Sequence, residues 1–209
     1  MILLSCLTLA VYPVYAWFTI NNQPSVAEFR AGEVKAQTTL ANATLSGGIT
    51  LPDLTYVDFS NDIVADATGM LNTIATGIVL DIEALEGTVP IRNEIELIFP
   101  EGQDELLYLI IWEGLNLDES HINITDYHSY LMGLVGEGVT DEQTWREAID
   151  LHNTSMLEDL AALSMSETDT VRIQIVFWGD YDHLNNPSTF LDIDYTFQLK
   201  VQSVQVEKE

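Results

Sequence analysis

The feature that most constrains this chain is a long alternation near its C-terminal end. Residues 189–206 read TFLDIDYTFQLKVQSVQV, with apolar and polar side chains trading places over much of the stretch. A period of two sends successive side chains to opposite faces, so the segment is a strand with one buried and one solvated face. A helix needs its apolar residues three and four apart, which this stretch does not supply. Leu191, Ile193, Tyr195, Phe197 and Leu199 share one phase; Phe190 falls out of it and marks a bulge. So long a strand needs partners. Residues 29–40, 54–59, 77–85, 91–99, 105–112 and 171–178 read as strands as well. In 91–99, Ile95, Leu97 and Phe99 alternate with Glu94 and Glu96. Residues 106–112, LLYLIIW, are continuously apolar, which predicts a central strand covered on both faces.

Between the strands the period changes. Residues 126–134 fit a short helix. Thr140 followed by Gln143 forms a capping-box pattern. Beyond it Trp145, Ile149, Met156, Leu160 and Leu163 keep roughly helical spacing. Gly133, Gly136 and Gly138 separate the two helices, and residues 42–48 and 179–188 read as polar turns and loops. The pattern predicts a mainly β fold. The expectation is an antiparallel β-sandwich spanning 29–206, with a helical insertion at about 120–166.

Charge narrows the function. The chain of 209 residues carries 33 acidic and 7 basic side chains, a formal net charge of −26. Arg30, Lys35, Arg92, Arg146, Arg172, Lys200 and Lys208 are scattered and form no basic run. Such a chain repels nucleic-acid phosphates and anionic membrane surfaces. It favours solubility, cation binding or salty surroundings.

None of that charge lies in the first 27 residues. Residues 2–20, ILLSCLTLAVYPVYAWFTI, are mostly apolar but broken by Pro13. A membrane-spanning helix needs about 20 apolar residues. A secretory leader needs about 7–15, followed by small residues before the cut. Residues 2–11 supply that stretch, and Val14 and Ala16 sit correctly for cleavage between Ala16 and Trp17, although no Lys or Arg precedes them. The reading is a leader over 1–16, a short N-terminal strand and linker over 17–28, and a secreted domain. A membrane-spanning helix, which would hold the chain to a membrane through an uncleaved leader, and a buried core strand are the competing readings. Cys6, the single cysteine, leaves with the leader, so no disulfide and no Cys-based zinc site is expected.

After the cut come Trp17, Phe18, Thr19 and Ile20, then Asn21, Asn22 and Gln23, then Phe29-Arg30-Ala31-Gly32. The far end carries Asn185-Asn186-Pro187 and Tyr195-Thr196-Phe197. In this order the pieces resemble the TasA/camelysin family of exported surface and biofilm-matrix proteins. The resemblance implies a leader removed by a dedicated signal peptidase and a jelly-roll-like domain. It also implies homopolymer fibres, in which residues 17–23 complete the sheet of the next subunit. Trp17, Phe18 and Ile20 would be the anchors, since aromatic side chains bury large areas. Glu33-Val34 departs from the Thr-Leu pair often seen after the Ala-Gly step, and the helical insertion has no match in the family's pattern.

Catalysis has little to work with. Camelysin-like members suggest a metalloprotease, but the four histidines, His121, His128, His152 and His183, form no His-Glu-x-x-His motif. His121 and His128 are seven apart and offer a metal pair; ordinary solvated helix residues are the plainer reading, as for His152. No Gly-x-Ser-x-Gly and no phosphate-binding loop is present. The best metal candidate is Ca²⁺ held by Asp180, Asp182 and Asn185 in the 179–188 loop, since Ca²⁺ takes several oxygen ligands. Residues 42–44, 123–125 and 153–155 form glycosylation sequons. The expected function is a fibre subunit assembled by N-terminal strand donation, not an enzyme. The alternatives are a monomeric secreted binding or adhesin module and a camelysin-like secreted protease.

Overall fold

The structure, a computed structural model, describes residues 34–41, 44–45, 48–51, 56–57, 76–117, 127–136, 142–180, 183 and 195–206. The strands are β1 (Ala36–Ala41), β2 (Thr44–Leu45), β3 (Ile49–Thr50), β4 (Tyr56–Val57), β5 (Thr76–Ala84), β6 (Ile91–Ile98), β7 (Leu106–Ile111), β8 (Thr170–Asp180) and β9 (Thr196–Gln205). Among the described residues two helices, α1 (Tyr127–Val135) and α2 (Glu142–Ala162), lie between β7 and β8. One sheet contains β1, β5 and β8 in that order, with β4 and β7 also paired to β8; the other runs β2-β3-β9-β6. The fold is therefore mainly β, an antiparallel two-sheet sandwich with a helical insertion, as the alternation predicts. One small departure is parallel: Tyr56 and Val57 pair with Gly179 and Asp180.

The period of two builds the core. Ile78, Leu80, Ile82 and Ala84 of β5 and Val171, Ile173, Ile175 and Phe177 of β8 face Phe197, Leu199 and Val201 of β9. The sheets meet through a circuit of rings. Phe197 lies 5.0 Å from Phe177 and 5.6 Å from Phe99, Phe99 lies 5.1 Å from Tyr108, and Tyr108 lies 6.3 Å from Phe177. A polar side chain also lies in this interior. Asn93, 1% exposed, donates from Nδ2 to Met165 Sδ and accepts from Ser203 Oγ.

A second apolar cluster covers the opposite face of the first sheet. Leu107, Leu109 and Ile111 of β7, with Val176 and Trp178 of β8, pack on Leu131 of α1 and on Trp145 and Ile149 of α2. This is why β7 reads as an unbroken apolar run: both of its faces are buried. The expectation that β7 is central is corrected, however. Among the described residues it pairs with β8 alone, and α2 lies along its other side.

Two loop expectations also change. Within 42–48, Thr44 and Leu45 form a short strand that pairs with β3. Gly48 makes the return possible, since a Cβ there would sit 3.0 Å from the Phe197 carbonyl oxygen of β9. Farther on, β8 continues through Gly179 and Asp180, so Asp180 belongs to a strand and not to the loop after it. It is held there by β4 and by the bond from its N–H to the Glu105 carbonyl at 2.6 Å.

Candidate functional site

The edges of the first sheet are the features of this fold suited to recognition. Consider β1. The Leu85 N–H donates to the Lys35 carbonyl at 3.1 Å, and the register then places Ala36 opposite Ala84. In an antiparallel ladder hydrogen-bonded pairs alternate with non-bonded ones. Gln37, Thr39 and Ala41 therefore bond to β5, while the N–H and C=O groups of Ala36, Thr38 and Leu40 point away from it. The side chains of Ala36 and Leu40 are only partly buried against the sandwich core.

Beside this edge, on the polar face of the sheet, lies a groove of about 370 Å³ lined by Gln37, Thr39, Asp81, Glu83, Thr170 and Arg172, among others. Arg172 crosses from β8 to Asp81 of β5 in a bidentate pair, Nε–Oδ1 2.6 Å and Nη2–Oδ2 2.9 Å. The other described basic side chains are engaged too. Lys200 meets Glu96 at 3.0 Å, Lys35 donates to the Glu86 carbonyl, Arg92 lies 4.0 Å from Glu94, and Arg146 meets Asp180.

The β7 edge is different. Here Asp180 bonds to the Glu105 carbonyl, so Tyr108 and Ile110 are the residues whose backbone groups face away from β8. Helix α2 meets them. Asn153 accepts from the Ile110 N–H through Oδ1 at 2.9 Å and donates to the Tyr108 carbonyl through Nδ2 at 2.9 Å. The His152 Nε2 donates to the Ile110 carbonyl at 2.9 Å, and its ring stands edge-on to Tyr130. Trp112 donates from Nε1 to the Met156 carbonyl at 2.9 Å. His152 is thus not a simple helix-surface residue. Asn153, 3% exposed, is too buried to carry a glycan.

At the start of β7 lies a charged cluster. The Asp180 carboxylate, fully buried, accepts from Arg146 Nε at 3.0 Å and Nη2 at 2.5 Å, with His183 Nδ1 at 3.1 Å. Arg146 also reaches the Asp104 carbonyl. The neighbouring Glu105, 5% exposed, accepts from the Tyr195 hydroxyl at 2.9 Å. Of the Ca²⁺ set, Asp180 therefore faces a guanidinium, while Asp182 and Asn185 lie outside the described residues. Also outside them are the cleavage residues Ala16 and Trp17 and the whole donor segment of Trp17, Phe18, Thr19, Ile20, Asn21, Asn22 and Gln23. Among the described residues no group of three or more His, Cys, Asp or Glu is arranged to hold a metal ion.

No protein-family model, curated protein or solved structure matches the chain. The likeness to the TasA/camelysin group rests on the residues quoted for it.

The covering helices also leave a mark on acid–base behaviour. Burial, reinforced by the Asp150 carboxylate, raises the Tyr108 pKa above its ordinary 10.0. Burial, with Glu113 second, raises that of Tyr130. Above pH 10 the folded state then holds protons that the unfolded chain has released. Stability is unaffected below about pH 10 and falls as the pH rises through the folded values. Urea titrations between pH 9 and 12 are expected to show this decline, with a shallower slope for Tyr108→Phe.

Proposed function

We propose that the chain is an exported structural protein. It forms a surface or matrix fibre when residues 17–23 of one copy add as a strand to the sandwich of the next. The observation that carries this reading is the β1 edge, where Ala36, Thr38 and Leu40 present outward backbone groups beside partly buried apolar side chains. Strand addition draws affinity from backbone bonds and register from alternate side chains, and this edge offers both. Charge supports the choice of donor. Copies at −26 each repel one another, whereas residues 17–27 are neutral. Salt or Ca²⁺ screens that repulsion, since the screening length falls from about 10 Å at 0.1 M to about 3 Å at 1 M.

The test is deletion of residues 17–23 from the processed chain. The intact form is expected to give particles that grow with salt in light scattering and fibres in electron microscopy. The deleted form is expected to stay monomeric at every salt concentration. Fibres formed without residues 17–23 would overturn the proposal. A monomeric binding module is the second reading, and the polar groove beside β1 favours it. A single monomer peak in size exclusion at high concentration, with salt and Ca²⁺ present, is what it requires.

A further inference from the structure

We infer that α2 is a strand mimic. It closes the β7 edge to strand addition and leaves β1 as the longest open edge of that sheet among the described residues; β4, at the other end of the strand order, is two residues long. A second copy of the chain is thereby directed to one side of the sandwich. The directing of assembly rests on the proposed function; the closure of β7 does not.

The argument begins with β7 itself. LLYLII is uncharged, β-prone and free of proline. A strand of that kind at a sheet edge invites pairing with another chain. Proteins often blunt such an edge with a charge, a proline or a bulge, and β7 carries neither a charge nor a proline. What it has is α2. A residue of a parallel neighbouring strand would donate its N–H to one outward carbonyl and accept from the next outward N–H. The Asn153 carboxamide makes that pair of bonds, to Tyr108 and to Ile110. His152 meets a third outward group, the Ile110 carbonyl.

Apolar packing alone does not account for this arrangement. Ile110 is 1% exposed, so a helix with a leucine at position 153 would leave its N–H buried and unbonded. Trp145, Ile149 and Leu160, each 1% exposed, hold the helix in place. Asn153 falls on the same stripe, where packing by itself would select an apolar residue. The polar residue is there because the surface beneath it is a strand edge. Nothing comparable covers β1 among the described residues.

The experiment is Asn153→Ala in the processed chain, alone and combined with Thr38→Pro. Proline at Thr38 removes an outward N–H of β1 without touching β7. Hydrogen exchange is expected to speed up about tenfold at the Ile110 amide, while the amides of Ile149 and Leu160 keep their wild-type rates. Analytical ultracentrifugation is expected to show concentration-dependent association of Asn153→Ala that persists in the double variant. Thr38→Pro alone is expected to stay monomeric. An unchanged Ile110 rate, or a double variant that is monomeric, overturns the inference. If Asn153→Ala does not fold, His152→Ala frees only the Ile110 carbonyl. It must then show the same association in the Thr38→Pro background, or the inference fails. Loss of the proposed function reads out separately. Wild-type protein that never polymerises overturns the role of β1 but leaves the Ile110 rate and β7 association standing.

Discussion

Arg146→Ala is expected to cost about 3 kcal/mol of stability, the lower end of what breaking a buried ion pair costs. The lower end applies because the Arg146 side chain is 22% exposed, although Asp180 is fully buried. Losing the guanidinium also frees the Asp104 carbonyl, which Arg146 ties to the start of β7. For a domain of this size the change corresponds to a fall in melting temperature of about 6–12 °C. Calorimetry measures it. The decisive comparison is Arg146→Met combined with Asp180→Asn, which removes both charges together. Recovery of most of the loss would show that the cost lies in the stranded carboxylate. Equal destabilisation of single and double variants would instead place it in the lost packing of the arginine stem.

Phe197→Ala is expected to be at least as damaging. Phe197 is 1% exposed and closes the ring circuit that joins the sheets, between Phe177 on β8 and Phe99 beyond β6. Removing a buried phenylalanine costs about 3–5 kcal/mol, from lost transfer energy and the cavity left behind. Two aromatic contacts disappear with it. Urea unfolding is expected to show a lower midpoint with an unchanged slope. Phe197→Leu, which refills much of the volume, is expected to recover about half of the loss. A midpoint shift equivalent to less than about 1.5 kcal/mol would mean that the sheets are not held together at this ring.

The strands were legible where one face is wet. β6 has alternately buried and exposed residues from Ile91 to Glu94, and β9 buries Phe197, Leu199 and Val201 in the phase read from the sequence. The helices were legible from Trp145, Ile149 and Leu160, all buried. Less legible was the place of β7. An unbroken apolar run says that both faces are covered, but not whether a strand or a helix lies along its edge. The signal that distinguishes these cases was present in the sequence. Asn153 sits on the apolar stripe of α2, and a buried polar residue on such a stripe needs a partner. In sequence terms the same residue also opens the sequon at 153–155.

The sequence by itself determined the class of fold, the place of the helical insertion and the absence of any basic run. All three follow from local periodicity and composition, which need no knowledge of what lies opposite. Only the tertiary structure decided that Asp180 ends a strand against Arg146, 34 residues away, and that Asn153 answers the backbone of Tyr108 and Ile110. It also decided which edge of the sheet stays open among the described residues. Such pairings depend on which backbone groups remain unsatisfied once the ladders have formed, and that is settled by register between distant segments.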